Sequence, residues 1–272
     1  MTISQAIAFG QNILNSRKEV ETLLLYVLQK DKLFLILNQS QEVLESDFSD
    51  FQKLLFRRGK YEPIEYITNK VSFYSENFYI QEGALIPRPE TEILIDKVIG
   101  VLENIENPRI LEVGIGSGII SIMLAKLIPN LTIVAVDISE QALNLAQKNI
   151  TKFKVSKQIE LRQSNLFQNI LDSEQFDLIV SNPPYIANSE KPNLQNELDF
   201  EPEIALFGGN IGDEILKKLI LGFFKRDKTK FLVCEMGYDQ KEKISNFVKE
   251  SGKLEFYKDL ANLDRGFILE KF

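Results

Sequence analysis

The 272-residue sequence has no histidine and a single cysteine, Cys234. The missing histidine removes the side chain that most often acts as general base near neutral pH, and with it the commonest metal ligand. One thiol excludes an internal disulfide framework and points to a reducing compartment. It also leaves too few ligands for a zinc site of the usual kind, so no metal is expected. Long apolar runs are missing too: none approaches the roughly 20 residues that cross a bilayer. The start, MTISQAIAFGQNILNSRKEVETLLLYVLQ, lacks the basic lead, apolar core and cleavage site of a secretory signal. A cytoplasmic protein without membrane association is therefore expected. Excess positive charge is likewise absent, the net charge being −7. A chain that lives on nucleic acid carries a basic footprint. The local clusters Arg57, Arg58, Lys60 and the run from Lys217 to Lys230 read as solvated faces, so no stable nucleic-acid binding is expected. The chemistry must come from carboxylates, amides, hydroxyls, backbone groups or a reactive cofactor.

What the sequence does contain is enough apolar material, 44%, for one large domain or two modest ones. No repeat or low-complexity segment interrupts it. Up to about residue 70 the pattern is helical: VETLLLYVLQ and DFQKLLFRRG carry apolar residues three and four apart. Ser46 or Asp47 is the candidate start of the second of these helices, and KYEP its end. VSFYSENFYIQ then alternates aromatic and polar residues, as a strand or hairpin does. We expect a helical domain over 1–70, a β-hairpin linker over 71–84 and an α/β domain over 85–272. In that last part ILEVG, LTIVAVD, QIELRQSN, FDLIVSN and KFLVCEMG read as strands separated by helical segments. KLEFYKDL and RGFILEKF read as a closing antiparallel pair. Alternating strands and helices predict a parallel sheet covered on both faces, with its ligand beyond the carboxyl ends of the strands.

The stretch LEVGIGSGII places Gly114, Gly116 and Gly118 between the first of these strands and its helix. Glycines permit a sharp turn and close backbone approach to a ligand. There is no Gly-Lys-Ser/Thr ending, which excludes a nucleoside-triphosphate phosphate loop, and the third glycine comes one place too early for the dinucleotide fingerprint. The next strand ends in Asp137, placed to accept hydrogen bonds from ribose hydroxyls. Glu112 reads either as a surface carboxylate at a strand end or as a group near a ligand's cationic end. The fourth strand leaves the sheet through Asn182-Pro183-Pro184-Tyr185. Two prolines with fixed φ make a stiff exit that holds carbonyls and the Asn182 amide in place. That suits a rigid loop as well as a small polar pocket.

The glycine loop with its acid resembles the S-adenosylmethionine-dependent methyltransferases. This resemblance implies a Rossmann-like, seven-stranded, mostly parallel sheet whose last strand is antiparallel. It also implies a sulfonium methyl donor that needs little acid–base machinery. The Asn-Pro-Pro-Tyr exit is similar to that of enzymes methylating planar nitrogen. There the Asn182 oxygen and a proline carbonyl can accept the two hydrogens of a conjugated NH2, and Tyr185 can cover the amide plane. LIPRPETE (85–92), YEPIEYI (61–67), SNPPYI, EPEIALFGG (201–209) and EMGYDQ (235–240) occur together in this sequence. On these the chain resembles the peptide-chain release factor glutamine methyltransferases, the PrmC/HemK family, over nearly its whole length.

The resemblance implies N5 methylation of the glutamine in the Gly-Gly-Gln loop of class I release factors, with S-adenosyl-L-homocysteine as product. It assigns Gly114, Ile115, Gly116, Ser117, Gly118, Asp137, Ile138, Asn165, Leu166, Asn182 and Arg88 to the cofactor. Asn182, Pro183, Pro184, Tyr185 and Glu90 go to the substrate, with Asn182, Pro183 and Tyr185 at the chemistry. Asn165 and Leu166 stand in SNLF, where family members often carry an acid and an aromatic, and Phe167 is then expected to pack. Arg88 and Glu90 would lie in a loop closing over the site, or simply begin a helix after Pro89. Ala205 to Gly209 would form a pocket wall or a turn. The helical domain would dock the release factor, and a monomer is expected. An adenine-N6 methyltransferase of DNA or RNA, a ribosomal-protein glutamine methyltransferase and a binding protein without turnover are the alternatives.

Overall fold

The computed structural model describes residues 1–272, which form two compact units, Met1–Lys70 with Gln195–Phe200 and Val71–Leu194 with Glu201–Phe272. The first is helical: α1 (Ile3–Gln11), α2 (Arg17–Leu28), α3 (Lys32–Leu37), α4 (Glu45–Gly59) and α5 (Ile64–Thr68). Side chains close the first three starts: Thr2 and Gln5 make a reciprocal capping box, Ser16 accepts from Glu19 N–H, and Asp31 from Phe34 N–H. α4 begins at Glu45, ahead of both Ser46 and Asp47, and has no side-chain cap. The preceding residues are tied down, with Val43 N–H donating to Met1 O and Thr2 bridged to Glu42, so the helix begins as soon as the chain leaves that bridge. Acids in its first turn and Arg57 and Arg58 in its last complement the helix dipole. Ile3, Val20, Leu23, Leu24, Phe51 and Leu55 are buried at its core. Arg58 pairs with Glu19 and, from the segment Gln195–Phe200, with Glu197.

The second unit opens with a hairpin, β1 (Lys70–Phe73) and β2 (Glu76–Tyr79), whose two turn residues Tyr74 and Ser75 have φ of 51° and 61°. Two positive φ values give the turn a twist that matches its strands. After α6 (Thr91–Leu102) come β3 (Arg109–Val113), α7 (Ile119–Leu127), β4 (Thr132–Asp137), α8 (Glu140–Phe153), β5 (Ile159–Gln163) and β6 (Leu178–Ser181). A short parallel pair, β7 (Ile186–Ala187) and β8 (Phe207–Gly209), flanks α9 (Glu203–Leu206). Then follow α10 (Glu214–Phe224), β9 (Phe231–Glu235), α11 (Lys241–Val248), β10 (Gly252–Lys258) and β11 (Asp264–Lys271).

The seven-stranded sheet has the order β10-β11-β9-β6-β3-β4-β5. It is parallel from β9 to β5, while β11 runs antiparallel to both β9 and β10. Alternate residues sort to opposite faces. Leu111, Val113, Val134 and Ile179 pack with Leu216, Leu219 and Phe223 of α10 and Ile244 of α11. Glu112 points the other way and bonds Ser121 of α7. Burial on both faces is why the central strands read as unbroken apolar runs. The chain winds outward from β3 through β4 to β5 and then returns to place β6 on the far side of β3. That reversal opens a crevice beyond the carboxyl ends of β3, β4 and β6. No helix is long and apolar enough to cross a membrane.

Candidate active site

A cavity of about 320 Å³ occupies the crevice. Its walls come from the strand exits, residues 114–117, 137–139, 164–166 and 181–184, and from the segments around Ala84, Pro87, Ile204 and Leu219. The volume falls in the range of small-molecule sites.

The glycine turn shows two uses of the same residue type. Gly114 and Gly116 have φ of 81° and 56°, and a Cβ on either would meet no atom within 4 Å. The backbone there faces open space. A Cβ on Gly118 would lie 3.1 Å from Ile122 Cδ1 and 3.3 Å from Ala146 Cβ, so Gly118 serves the packing of α7 on α8 and does not line the cavity. The N–H groups of Gly114 and Ile115 both donate to Val136 O, at 2.8 and 3.0 Å. Asp137 lines the cavity and at the same time holds the turn. Its Oδ2 accepts from Gly116 N–H and its Oδ1 from Ser139 N–H, each at 2.9 Å. Burial raises the Asp137 pKa, and these backbone donors oppose the rise.

Ile115, Ser117, Ile138, Asn165 and Leu166 also line the cavity. Ser164, which sequence reasoning passed over, shapes the last loop: its hydroxyl donates to Leu166 O at 2.9 Å and accepts from Asn169 N–H at 3.0 Å. Phe167 packs in the core with α10 and does not reach the cavity.

On the opposite strand exit, Ser181 Oγ donates to Val113 O at 2.6 Å and so ties β6 to β3. Asn182, Pro183 and Pro184 line the cavity, and Asn182 Nδ2 donates to Thr91 Oγ1 at 3.2 Å. Tyr185 stands outside it, its carbonyl accepting from Gln240 Nε2 at 3.0 Å. Buried Gln240 also holds Gly212 O and Gly237 N–H, so one amide fastens three loops. Arg88 makes an ion pair with buried Glu201, whose other oxygen accepts from Ile86 N–H at 2.8 Å. Glu90 is the N-cap residue of α6. Neither Arg88 nor Glu90 lines the cavity, whereas Ala205 does.

Two carboxyls are buried around these elements. Glu112 is 0% exposed, which rules out a surface role. Its Oε2 accepts from the Ser121 N–H and hydroxyl, and its Oε1 has no partner. Burial pushes Glu112 up to about 8 and Glu235 up to about 7. The folded chain therefore holds these protons more tightly than the unfolded chain, whose carboxyls titrate near 4.5. The stability they contribute is fully present below that value and is lost as pH rises through the folded values. Glu112→Gln is expected to flatten the fall in ligand-free melting temperature between about pH 5 and 8. An unchanged slope would contradict this assignment.

A doubly wound sheet that sets a glycine turn, a strand-end acid and an Asn-Pro-Pro exit around one cavity defines a methyltransferase. The family model for the methyltransferase small domain matches residues 91–199, and that for the PrmC N-terminal domain matches residues 4–68. The release factor glutamine methyltransferase of Clostridium acetobutylicum is 34% identical over 91% of this chain and 89% of its own length. The bifunctional methyltransferase of Rickettsia typhi is 37% identical over 91% of this chain, which spans about half, 52%, of that longer protein. The chain belongs to the release factor glutamine methyltransferase family. Its fold is shared with the hMettl16 catalytic domain solved in complex with MAT2A 3'UTR hairpin 6, at TM-score 0.60 and 17% identity over 72% of this chain and 75% of that one.

Membership of a methyltransferase family implies S-adenosylmethionine as the donor, and the residues present fit it. The space a Cβ would fill above Gly114 and Gly116 is left open, and the Asp137 carboxylate stands beside it as an acceptor for hydroxyls.

Proposed function

We propose that this chain methylates the N5 side-chain amide nitrogen of the glutamine in the Gly-Gly-Gln motif of class I peptide chain release factors, in support of translation termination. One observation carries the reading: Asn182 stands on the wall of the cavity that holds the glycine turn, and its Nδ2 is already engaged by Thr91. Its oxygen is thus left to receive a substrate hydrogen.

S-adenosylmethionine supplies an activated methyl group on a sulfonium and leaves as S-adenosylhomocysteine. The turn at residues 114–117, with Asp137, Ile138, Asn165 and Leu166, holds the donor. The chain's remaining task is to position a poor nucleophile, since the amide lone pair is delocalised. Asn182 Oδ1 and the Pro183 carbonyl accept the two amide hydrogens, aim the nitrogen and favour the positive charge that develops on it. Pro184 flanks the amide plane, while Tyr185, outside the cavity, would reach it only from the rim of the exit. Arg88 and Glu90 border the site through the segment before α6. Solvent takes the departing proton, since the chain has no histidine.

Residues 1–70 form the release factor docking domain, 71–84 the linker and 85–272 the methyltransferase domain in this reading. Docking far from the chemistry orients a flexible loop for reaction. The protein works in the cytoplasm as a monomer, without a metal and without stable nucleic-acid or membrane binding.

The test supplies labelled methyl donor with intact release factor, a Gln→Ala variant of its Gly-Gly-Gln loop, a short Gly-Gly-Gln peptide, ribosomal proteins, DNA and RNA. Label is expected on the intact release factor and not on the Ala variant. The peptide should react with kcat/KM lower by about 10²-fold or more, because it lacks the docking contacts. Equal efficiency on peptide and protein removes the docking role, and label on nucleic acid overturns the assignment.

A further inference from the structure

Two segments far apart in the chain wall the same cavity: Ala84, Leu85 and Pro87 ahead of α6, and Pro202, Ile204 and Ala205 at α9. Neither belongs to the seven-stranded sheet, so no ladder of backbone bonds fixes their spacing. The first has few bonds of its own to offer. Pro87 and Pro89 carry no N–H, which leaves Ile86 and Arg88 as the only backbone donors between Leu85 and Glu90. Ile86 is 5% exposed, and a buried N–H needs a partner. That partner is the Glu201 carboxylate, at 2.8 Å. The other oxygen of Glu201 takes the Arg88 guanidinium. Glu201 is itself 4% exposed and directly precedes Pro202, the N-cap residue of α9.

An ionised carboxylate only accepts, through two oxygens. Glu201 spends both on one wall, at Ile86 and Arg88, while its own backbone starts the other. Its side chain therefore sets the spacing of the two. Arg88 does not line the cavity. Its guanidinium neutralises a carboxylate that would be costly to leave buried and unpaired. We infer that Glu201 is a positioning residue for the methyl donor, holding both walls in place before the donor arrives, and that Arg88 acts on the donor only through Glu201. Walls already in place spare the donor the cost of ordering them. The inference rests on this cavity being the donor site, as proposed above, and not on which group accepts the methyl.

Two roles are open to a cation beside such a site, and they separate in a double-mutant cycle. An Arg88 that itself reached the carboxylate at the donor's methionine end would contribute independently of Glu201. The two losses would then multiply in the dissociation constant. An Arg88 that works through Glu201 has nothing left to neutralise once that carboxylate is gone. Its removal then adds nothing to the loss already caused.

The test uses the whole 272-residue chain. Calorimetric titration with S-adenosylhomocysteine is run on wild type, Glu201→Ala, Glu201→Gln, Arg88→Met and the double variant Arg88→Met/Glu201→Ala. Glu201→Ala should weaken binding by about 10-fold or more, because the ligand must then order both walls itself. Glu201→Gln keeps an acceptor for Ile86 N–H but sets its NH2 against Arg88, and should lose roughly 3- to 10-fold. The double variant should bind no more weakly than Glu201→Ala alone. With intact release factor, the KM for donor should rise in Glu201→Ala while kcat at saturating donor stays within about threefold; general damage to the fold would lower kcat as well. Hydrogen exchange over residues 84–90 of the ligand-free protein should be faster in Glu201→Ala than in wild type. Calorimetry and exchange need no methyl acceptor, so they decide the inference even if release factor proves not to be methylated. Wild-type affinity in Glu201→Ala overturns it. Should that variant not fold, wild-type affinity in both Glu201→Gln and Arg88→Met does so. A double variant whose loss is the product of the two single losses overturns it too, as does unchanged exchange over residues 84–90 in Glu201→Ala.

Discussion

Asn182→Ala loses about 10²- to 10³-fold in kcat on release factor while its affinity for the methyl donor stays within a few fold. The size is that of removing one preorganised polar group aimed at developing charge. Donor affinity survives because the elements assigned to the donor, the glycine turn and Asp137, are built from β3 and β4, whereas Asn182 leaves β6. The truncation also leaves Thr91 Oγ1 without the Nδ2 donor it has at 3.2 Å, an added cost that falls on the same wall of the cavity. Single-turnover methylation and calorimetric titration with S-adenosylhomocysteine measure the two quantities separately. Equal losses in both would mean that Asn182 holds the donor instead of the amide.

Gly116→Val is expected to weaken donor binding by about 10²-fold or more, equivalent to roughly 2.8 kcal/mol. At φ 56° any side chain is strained, and the position has no protein atom within 4 Å of a Cβ, so the new methyls project into space meant for the ligand. Gly118→Ala makes the contrast. There a Cβ would press on Ile122 and Ala146, so the expected damage is to stability, read as a lower melting temperature, with the cavity itself unobstructed. Calorimetric affinity and thermal melts on both variants check this division. If Gly118→Ala abolishes binding without lowering the melting temperature, the third glycine faces the ligand after all.

These two glycines also show how far local pattern reaches. The spacing in LEVGIGSGII was enough to put a turn after β3, because the residues that make the turn are neighbours in the chain. It could not separate Gly116 from Gly118, since that difference depends on what α8 brings against Gly118. Asp137 was readable as a strand-end acid, but its bonds to Gly116 and Ser139 were not. Asn182-Pro183-Pro184 was readable as a stiff exit for the same reason as the glycine turn.

By itself, then, the sequence determined the alternation of strands and helices, the helical beginning, the glycine turn with its acid and the Asn-Pro-Pro exit, all signals written over a few adjacent residues. The tertiary structure alone decided that Thr91 stands behind Asn182, that Glu201 holds Arg88 and that Glu112 is sealed inside the sheet. A carboxylate's burial and partner come from segments far away in the chain. In the sequence, ILEVG and EPEIALFGG show only that an acid is present, not which hydroxyl or guanidinium the fold will bring to it.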